Sequence, residues 1–250
     1  MVRSNVAACL LTLVIALSAV EDARADSLSG AFNGIDRGQS RVVNVTLRDR
    51  PALNNSYYAG SLMHTIGGTS AVGLFCIEFD QAVEFGGHDY AVLDIADAGD
   101  GSTNFGAERT DRVHAIVGAA LGLGWMERGS MLVGSGDLNI DRDRGAAIQL
   151  LLWESLEEDA GSAWDLGSGA FVANLGLLDG VSDRVAELMD YINERELLGQ
   201  RVAGLAALAS DTSQDQLVVV PLPRGAFIGL ACLSAIGFAH ARRRMLLLRA

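Results

Sequence analysis

A chain of 250 residues, half of them apolar, is long enough for one or two domains with a sizeable core, and its composition excludes an intrinsically disordered protein. All 19 basic residues are arginine, against 31 Asp and Glu, which leaves a formal charge of −12. Negative charge on this scale disfavours nucleic acid and anionic lipid as partners.

At the start, Arg3 precedes an almost wholly apolar run from Val6 to Val20, followed by Ala23-Arg24-Ala25. One positive charge, an apolar stretch and an A-x-A site predict a signal peptide over residues 1–25, cleaved after Ala25; a buried N-terminal helix is the alternative. Cys9 lies inside the run, without the context of a lipoprotein cysteine. Residues 26–37 are small and polar and read as a loosely ordered leader.

Val43, Val45 and Leu47 alternate across a predicted strand, Arg41 to Arg48, and Ser56 to Met63 is a weaker strand candidate. Gly67 and Gly68 mark a turn before the clearest strand, Ala71 to Phe79, in which Leu74, Cys76, Glu78 and Asp80 point one way. Gly86-Gly87 makes another turn, Tyr90 to Ile95 a further strand, and Ala96 to Gly106 a surface loop. Helices are predicted over Asp111 to Leu123, over a segment capped by Asp143 and running through Leu156, and over Asp183 to Leu198. Leu205 to Ser210 reads as short helical or irregular chain, and Gln214 to Val220 as a final strand or a stalk. The expected fold class is α+β, strand-rich in the N-terminal half and helical in the middle and C-terminal part, flanked by a signal peptide and a C-terminal hydrophobic helix.

The C-terminal flank has three parts: Val220-Pro221-Leu222-Pro223, an uncharged run from Gly225 to Ala239, and Arg242, Arg243 and Arg244. Fifteen residues are short for a span, which takes about twenty, so the membrane reading extends the run back to Leu217 with Arg224 at the interface. Arginines beyond such a run favour a cytoplasmic end. The three-part arrangement resembles the VPLP variety of PEP-CTERM sorting signals. That resemblance implies recognition by an exosortase-type processing enzyme in a Gram-negative bacterium, and an exported protein that passes from an inner-membrane-anchored precursor to the periplasm, outer surface or biofilm matrix. Arg224 and the extension after Arg244 depart from the compact form of the signal.

The expected domains are thus a signal peptide at 1–25, an extracytoplasmic domain at 26–216 and a sorting segment at 217–250. Without the two flanks the body has 12 Arg against 29 Asp and Glu, a charge of −17, and a single cysteine, Cys76. An intramolecular disulfide is then impossible, leaving a buried thiol, an intermolecular bond or a chemically used sulfur.

Cys76 sits in the strand segment Phe75-Cys76-Ile77-Glu78, and Gln149 in the apolar helical run Ile148 to Trp153. Gln149, Trp153 and Leu156 share one helix face, and an amide buried there needs partners. Here the chain resembles the Cys-Gln thioester domains of bacterial surface proteins, with Cys76 at the cysteine, Gln149 at the glutamine, and Glu78 and Trp153 as supporting residues. Ile148 and Leu151 depart from the residues common in that family. The resemblance implies that the Cys76 sulfur attacks the Gln149 carbonyl and expels ammonia, and that a target amine or hydroxyl later takes the acyl group, with no cofactor. The alternative is a noncatalytic envelope, matrix or glycan-binding protein with Cys76 as a buried free thiol.

Other readings are weaker. A Cys-His hydrolase would need His88 or His114 beside Cys76, and neither lies in a nucleophile-elbow or papain-like segment. Calcium at Asp94, Asp97 and Asp100, or at Asp137, Asn139, Asp141 and Asp143, lacks the EF-hand pattern; Arg142 stands where such a loop needs glycine. Trp125, Trp164, Tyr57 and Tyr58 would stack on a surface polysaccharide if exposed.

Overall fold

The computed structural model describes residues 27–219, apart from 80, 101–102, 130–131 and 160. In chain order the strands and helices are β1 (Ser27–Leu47), β2 (Asn55–Ile66), β3 (Thr69–Cys76), β4 (Gly86–Leu93), β5 (Gly99–Asp100), β6 (Thr103–Asn104), α1 (Gly106–Gly122), α2 (Leu138–Glu157), β7 (Phe171–Asn174), α3 (Asp179–Glu194), β8 (Leu205–Ala209) and β9 (Gln216–Val219). The class is α+β, as the alternation and periodicity imply.

The main sheet closes on itself. Its order is β2-β3-β9-β8-β4-β1-β7, and β1 also pairs with β2, so six antiparallel strands form a barrel while β7 extends the far half of β1. A single long strand serves both sides: Gly30 lies opposite Ile66 of β2 and His88 of β4, and Val45 lies opposite Asn55 of β2 and Ala173 of β7. Closure satisfies edge N–H and C=O groups that an open sheet would expose. The β2–β3 turn is made by Gly67 and Gly68 at φ 56° and 77°, left-handed values that favour glycine in a tight hairpin.

Residues 27–37 are therefore the first half of β1 rather than a loose leader. Their small side chains hide the strand signal and at the same time permit it: a Cβ on Gly30 would lie 2.4 Å from Ile66 Cδ1. The C-terminal part departs from expectation at Leu205–Ala209, which is a strand rather than helical or irregular chain, whereas Gln216–Val219 is a final strand and not a stalk, lying between β3 and β8.

Helix α2 is the centre of the packing. Every residue from Gly145 to Leu156 is buried, so the helix is enclosed on all sides, by β1 and β2 on one flank and α1 and α3 on the other. Its cap is Asp137, whose carboxylate accepts from Asn139 N and Ile140 N. Asp143, expected as the cap, lies inside the helix and pairs with Arg41 of β1 at 2.7 Å. The approach to β1 is closest at Gly145, where a Cβ would stand 2.0 Å from Gln39 O. Gly145→Ala should consequently destabilise the protein by about 1–3 kcal/mol by urea denaturation, although alanine is worth roughly 1 kcal/mol more in an open helix. A neutral or stabilising result would show that β1 and α2 separate freely.

The expected flanking hydrophobic helix, with its transmembrane span and inner-membrane-anchored state, is corrected: among the described residues no helix is long and apolar enough to cross a membrane. The longest, α2, has six charged side chains, among them Asp141, Arg142, Asp143 and Arg144. Residues 1–25, assigned to a signal peptide, lie outside the described residues, as do Val220, Pro221, Leu222, Pro223, Arg242, Arg243 and Arg244.

Candidate functional site

Cys76 ends β3, where it pairs with Gln216 of β9, and the next ladder bond runs from Ile77 N to Asp215 O. On its other side β2 has already turned away, since their regular pairing extends only to Leu62 opposite Leu74. The backbone of Cys76 would thus face α2 with an unpaired N–H and C=O. Gln149 supplies both partners: Cys76 N donates to Gln149 Oε1 at 3.1 Å, and Gln149 Nε2 donates to Cys76 O at 2.7 Å. The carboxamide takes the place of a missing strand residue.

The pair is sealed from water. Gln149 has 0% and Cys76 4% of its surface exposed, and the thiol donates to Glu78 O at 2.8 Å. Burial pushes the Cys76 thiol up to about 12; the contact with Glu78 O and the neighbouring Trp153 indole oppose this, and the charges of Glu78 and Asp215 add to it. The indole faces the sulfur without completing a hydrogen bond, and Nε1 remains buried without an acceptor. Trp153 packs on Phe79 at 4.6 Å between ring centres, with Tyr57 and Phe171 completing an aromatic wall.

Glu78 and Trp153, the two supporting residues, both adjoin the pair. Glu78 acts mostly through fixed contacts: its Oε1 accepts from Asp215 N and its backbone O from Gln214 Nε2, which bind β3 to the turn before β9.

Neither candidate histidine reaches the thiol. His88 faces Thr212 Oγ1 and Glu84 O, and His114 Nδ1 accepts from Val202 N. A third, His64, was not singled out in the sequence; it is fully buried between Phe32 and Tyr90, with Nε2 unpartnered and its pKa lowered to about 4 by burial. The acidic loops are used locally: Asp94 accepts from Ala96 N, and Asp141 from Ser135 N. Among the described residues, no group of three or more His, Cys, Asp or Glu side chains converges to hold a metal. Of the four proposed stacking rings, Trp125 is buried, Trp164 is half-buried under Arg112, Tyr57 donates to Leu53 O, and only Tyr58 is open, at 41% exposure.

One feature without a sequence signal is a buried carboxyl beside the site. Glu154, next to Trp153, has no exposed surface; Oε1 accepts from Asp165 N at 2.8 Å and Oε2 has no partner. Burial raises its pKa to about 7. Glu158, one turn on, accepts from Phe171 N, so the two acids clasp the chain leading to β7 against the end of α2.

Comparison of the chain with known protein families, curated proteins and solved structures finds no match, so the sorting-signal and thioester-domain resemblances confer no family membership.

Proposed function

We propose that this protein is a noncatalytic envelope or matrix module in which Cys76 is a buried free thiol and the Gln149 amide is the tie that holds α2 to the barrel. The observation carrying this reading is the complete use of both groups inside a closed core: the amide is spent on the Cys76 backbone, and the thiol is held by Glu78 O with its pKa at about 12. A thiol in that state is a poor nucleophile, because the thiolate is the reactive form. The strongly acidic body and the exposed Tyr58 beside Val42 on β1 are compatible with a polysaccharide partner.

A second reading, the internal thioester, is favoured by one observation. Cys76 N already donates to Gln149 Oε1, the oxygen that would gather charge as the sulfur attacked the side-chain carbonyl. Bond formation between Sγ and that carbon would release Nε2 as ammonia, with the thiol proton leaving on it. A target amine or hydroxyl would then displace the sulfur.

One measurement separates the two. For the free-thiol protein, the intact mass equals that of the unmodified chain, and iodoacetamide labels Cys76 only after denaturation. A deficit of about 17 Da, the mass of the lost ammonia, abolished by Cys76→Ala and replaced by a methylamine adduct on Gln149, would overturn it in favour of the thioester.

A further inference from the structure

The solvent side of the layer formed by β2, β1 and β7 is an open face without charge. Val43, Val45 and Leu47 point into the core, so alternation sends Val42, Asn44 and Thr46 outward, where all three are exposed. The register sets them in rows: Val42 opposite Tyr58, Asn44 between Ser56 and Asn174, and Thr46 opposite Val172. Tyr58 and Val42, 41% and 52% exposed, form an apolar step at one end. The middle row carries two amides and a hydroxyl. Asn44 Oδ1 accepts from Ser56 Oγ at 2.5 Å and Asn174 Oδ1 from Gly176 N at 3.1 Å, which leaves both Nδ2 groups without a partner among the described residues. No Asp, Glu or Arg stands in the three rows, although the chain carries 31 acids and 19 arginines.

We infer that this face binds an extended, uncharged polysaccharide chain, with the apolar side of one sugar ring on Tyr58 and Val42 and the hydroxyls of the next on Asn44, Ser56 and Asn174. The assignment rests on the reading of the protein as a noncatalytic matrix module and gives that module its contact residues. A tyrosine ring presents an apolar face with a polar tip, and a carboxamide supplies both a donor and an acceptor to neighbouring sugar hydroxyls. Charge selects the class of glycan. The acidic body repels an acidic chain, and a face without a carboxylate gives a cationic chain no partner. Size argues against a protein or a second copy of this chain. With strands about 4.8 Å and rows about 6.8 Å apart, the face spans roughly 10 by 14 Å. A stable protein interface takes about 800 Å² from each partner. The outer edge of β7 is closed to an added strand as well, because Phe171 N and Ala173 N donate to Glu158 Oε1 and Leu166 O.

The test is affinity electrophoresis of the full chain in native gels containing hydroxyethylcellulose or glucomannan, two extended uncharged glycans, or alginate, an acidic one. Retardation is expected in at least one of the first two and not in alginate. Tyr58→Phe, which keeps the ring, should retain it. Tyr58→Val, which keeps a strand-compatible residue, should weaken binding about tenfold, as should Asn44→Ala combined with Asn174→Ala. Leu177→Ala removes an exposed apolar side chain outside the face and should change nothing. If Tyr58→Val alters the thermal melt, the asparagine pair decides. No retardation in either neutral glycan, equal retardation in alginate, undiminished binding in the face variants, or an equal loss in Leu177→Ala would each overturn the assignment. Such a failure leaves the free-thiol reading standing, since intact mass and iodoacetamide labelling decide that one; a mass deficit would overturn the free thiol without moving the gel result.

Discussion

Gln149→Leu is expected to lower the unfolding free energy by about 2–6 kcal/mol, since it strands two buried backbone groups at about 1–3 kcal/mol each. Leucine nearly fills the volume of glutamine, so the loss reports on the hydrogen bonds to Cys76 N and O rather than on a cavity. Against a usual total of about 5–15 kcal/mol this is a large fraction. Cys76→Ser is the contrast: it keeps the same backbone pair and should cost far less. Urea denaturation of both variants checks the comparison. A Gln149→Leu cost below about 1 kcal/mol, or one matched by Cys76→Ser, would show that the amide is not what joins α2 to β3.

Glu154→Gln should stabilise the protein above pH 7 by on the order of 2–3 kcal/mol and change little near pH 4.5. The sign follows from the raised pKa of about 7 against an ordinary 4.5. Between these values the folded state binds more protons than the unfolded state, so stability falls as pH rises through the window. The neutral carboxyl suits its site: Oε1 is held by Asp165 N and Oε2 has no partner to stabilise a charge. Glutamine keeps the acceptor for Asp165 N and removes the titration. His64 works in the opposite sense, because its lowered pKa makes the protein lose stability as pH falls from about 6.5 towards 4. The wild-type profile therefore mixes several groups, whereas the difference between wild type and Glu154→Gln isolates one. Denaturation series at pH 4.5, 6 and 8 check it; a pH-independent difference would place the Glu154 charge in contact with water.

Some of this architecture is legible without coordinates. Alternation over Val43, Val45 and Leu47 marks part of β1, glycines mark the β2–β3 hairpin, and the apolar run around Gln149 marks α2. Other parts are not. The first half of β1 is built from small residues with little alternation, because its neighbours press on both edges. β7 has four residues, too few to show a period, and exists because it pairs with Asn44–Leu47. β8, Leu-Ala-Ala-Leu-Ala, has a helical composition and is a strand because it joins β4 to β9 across the barrel.

The candidate site divides the same way. Sequence by itself determined the residue types: one cysteine in the body, on a β-compatible segment, and one amide in an apolar helical run that burial would oblige to find partners. Only the tertiary structure decided that those partners are the backbone of Cys76. The reason is geometric: β2 parts from β3 after Leu74, leaving an N–H and a C=O exposed to α2, while Gly145 lets that helix come close enough for Gln149 to fill the gap. The orphaned oxygen of Glu154 lay beyond reach of any local pattern, since burial and the absence of a partner are properties of the packed chain.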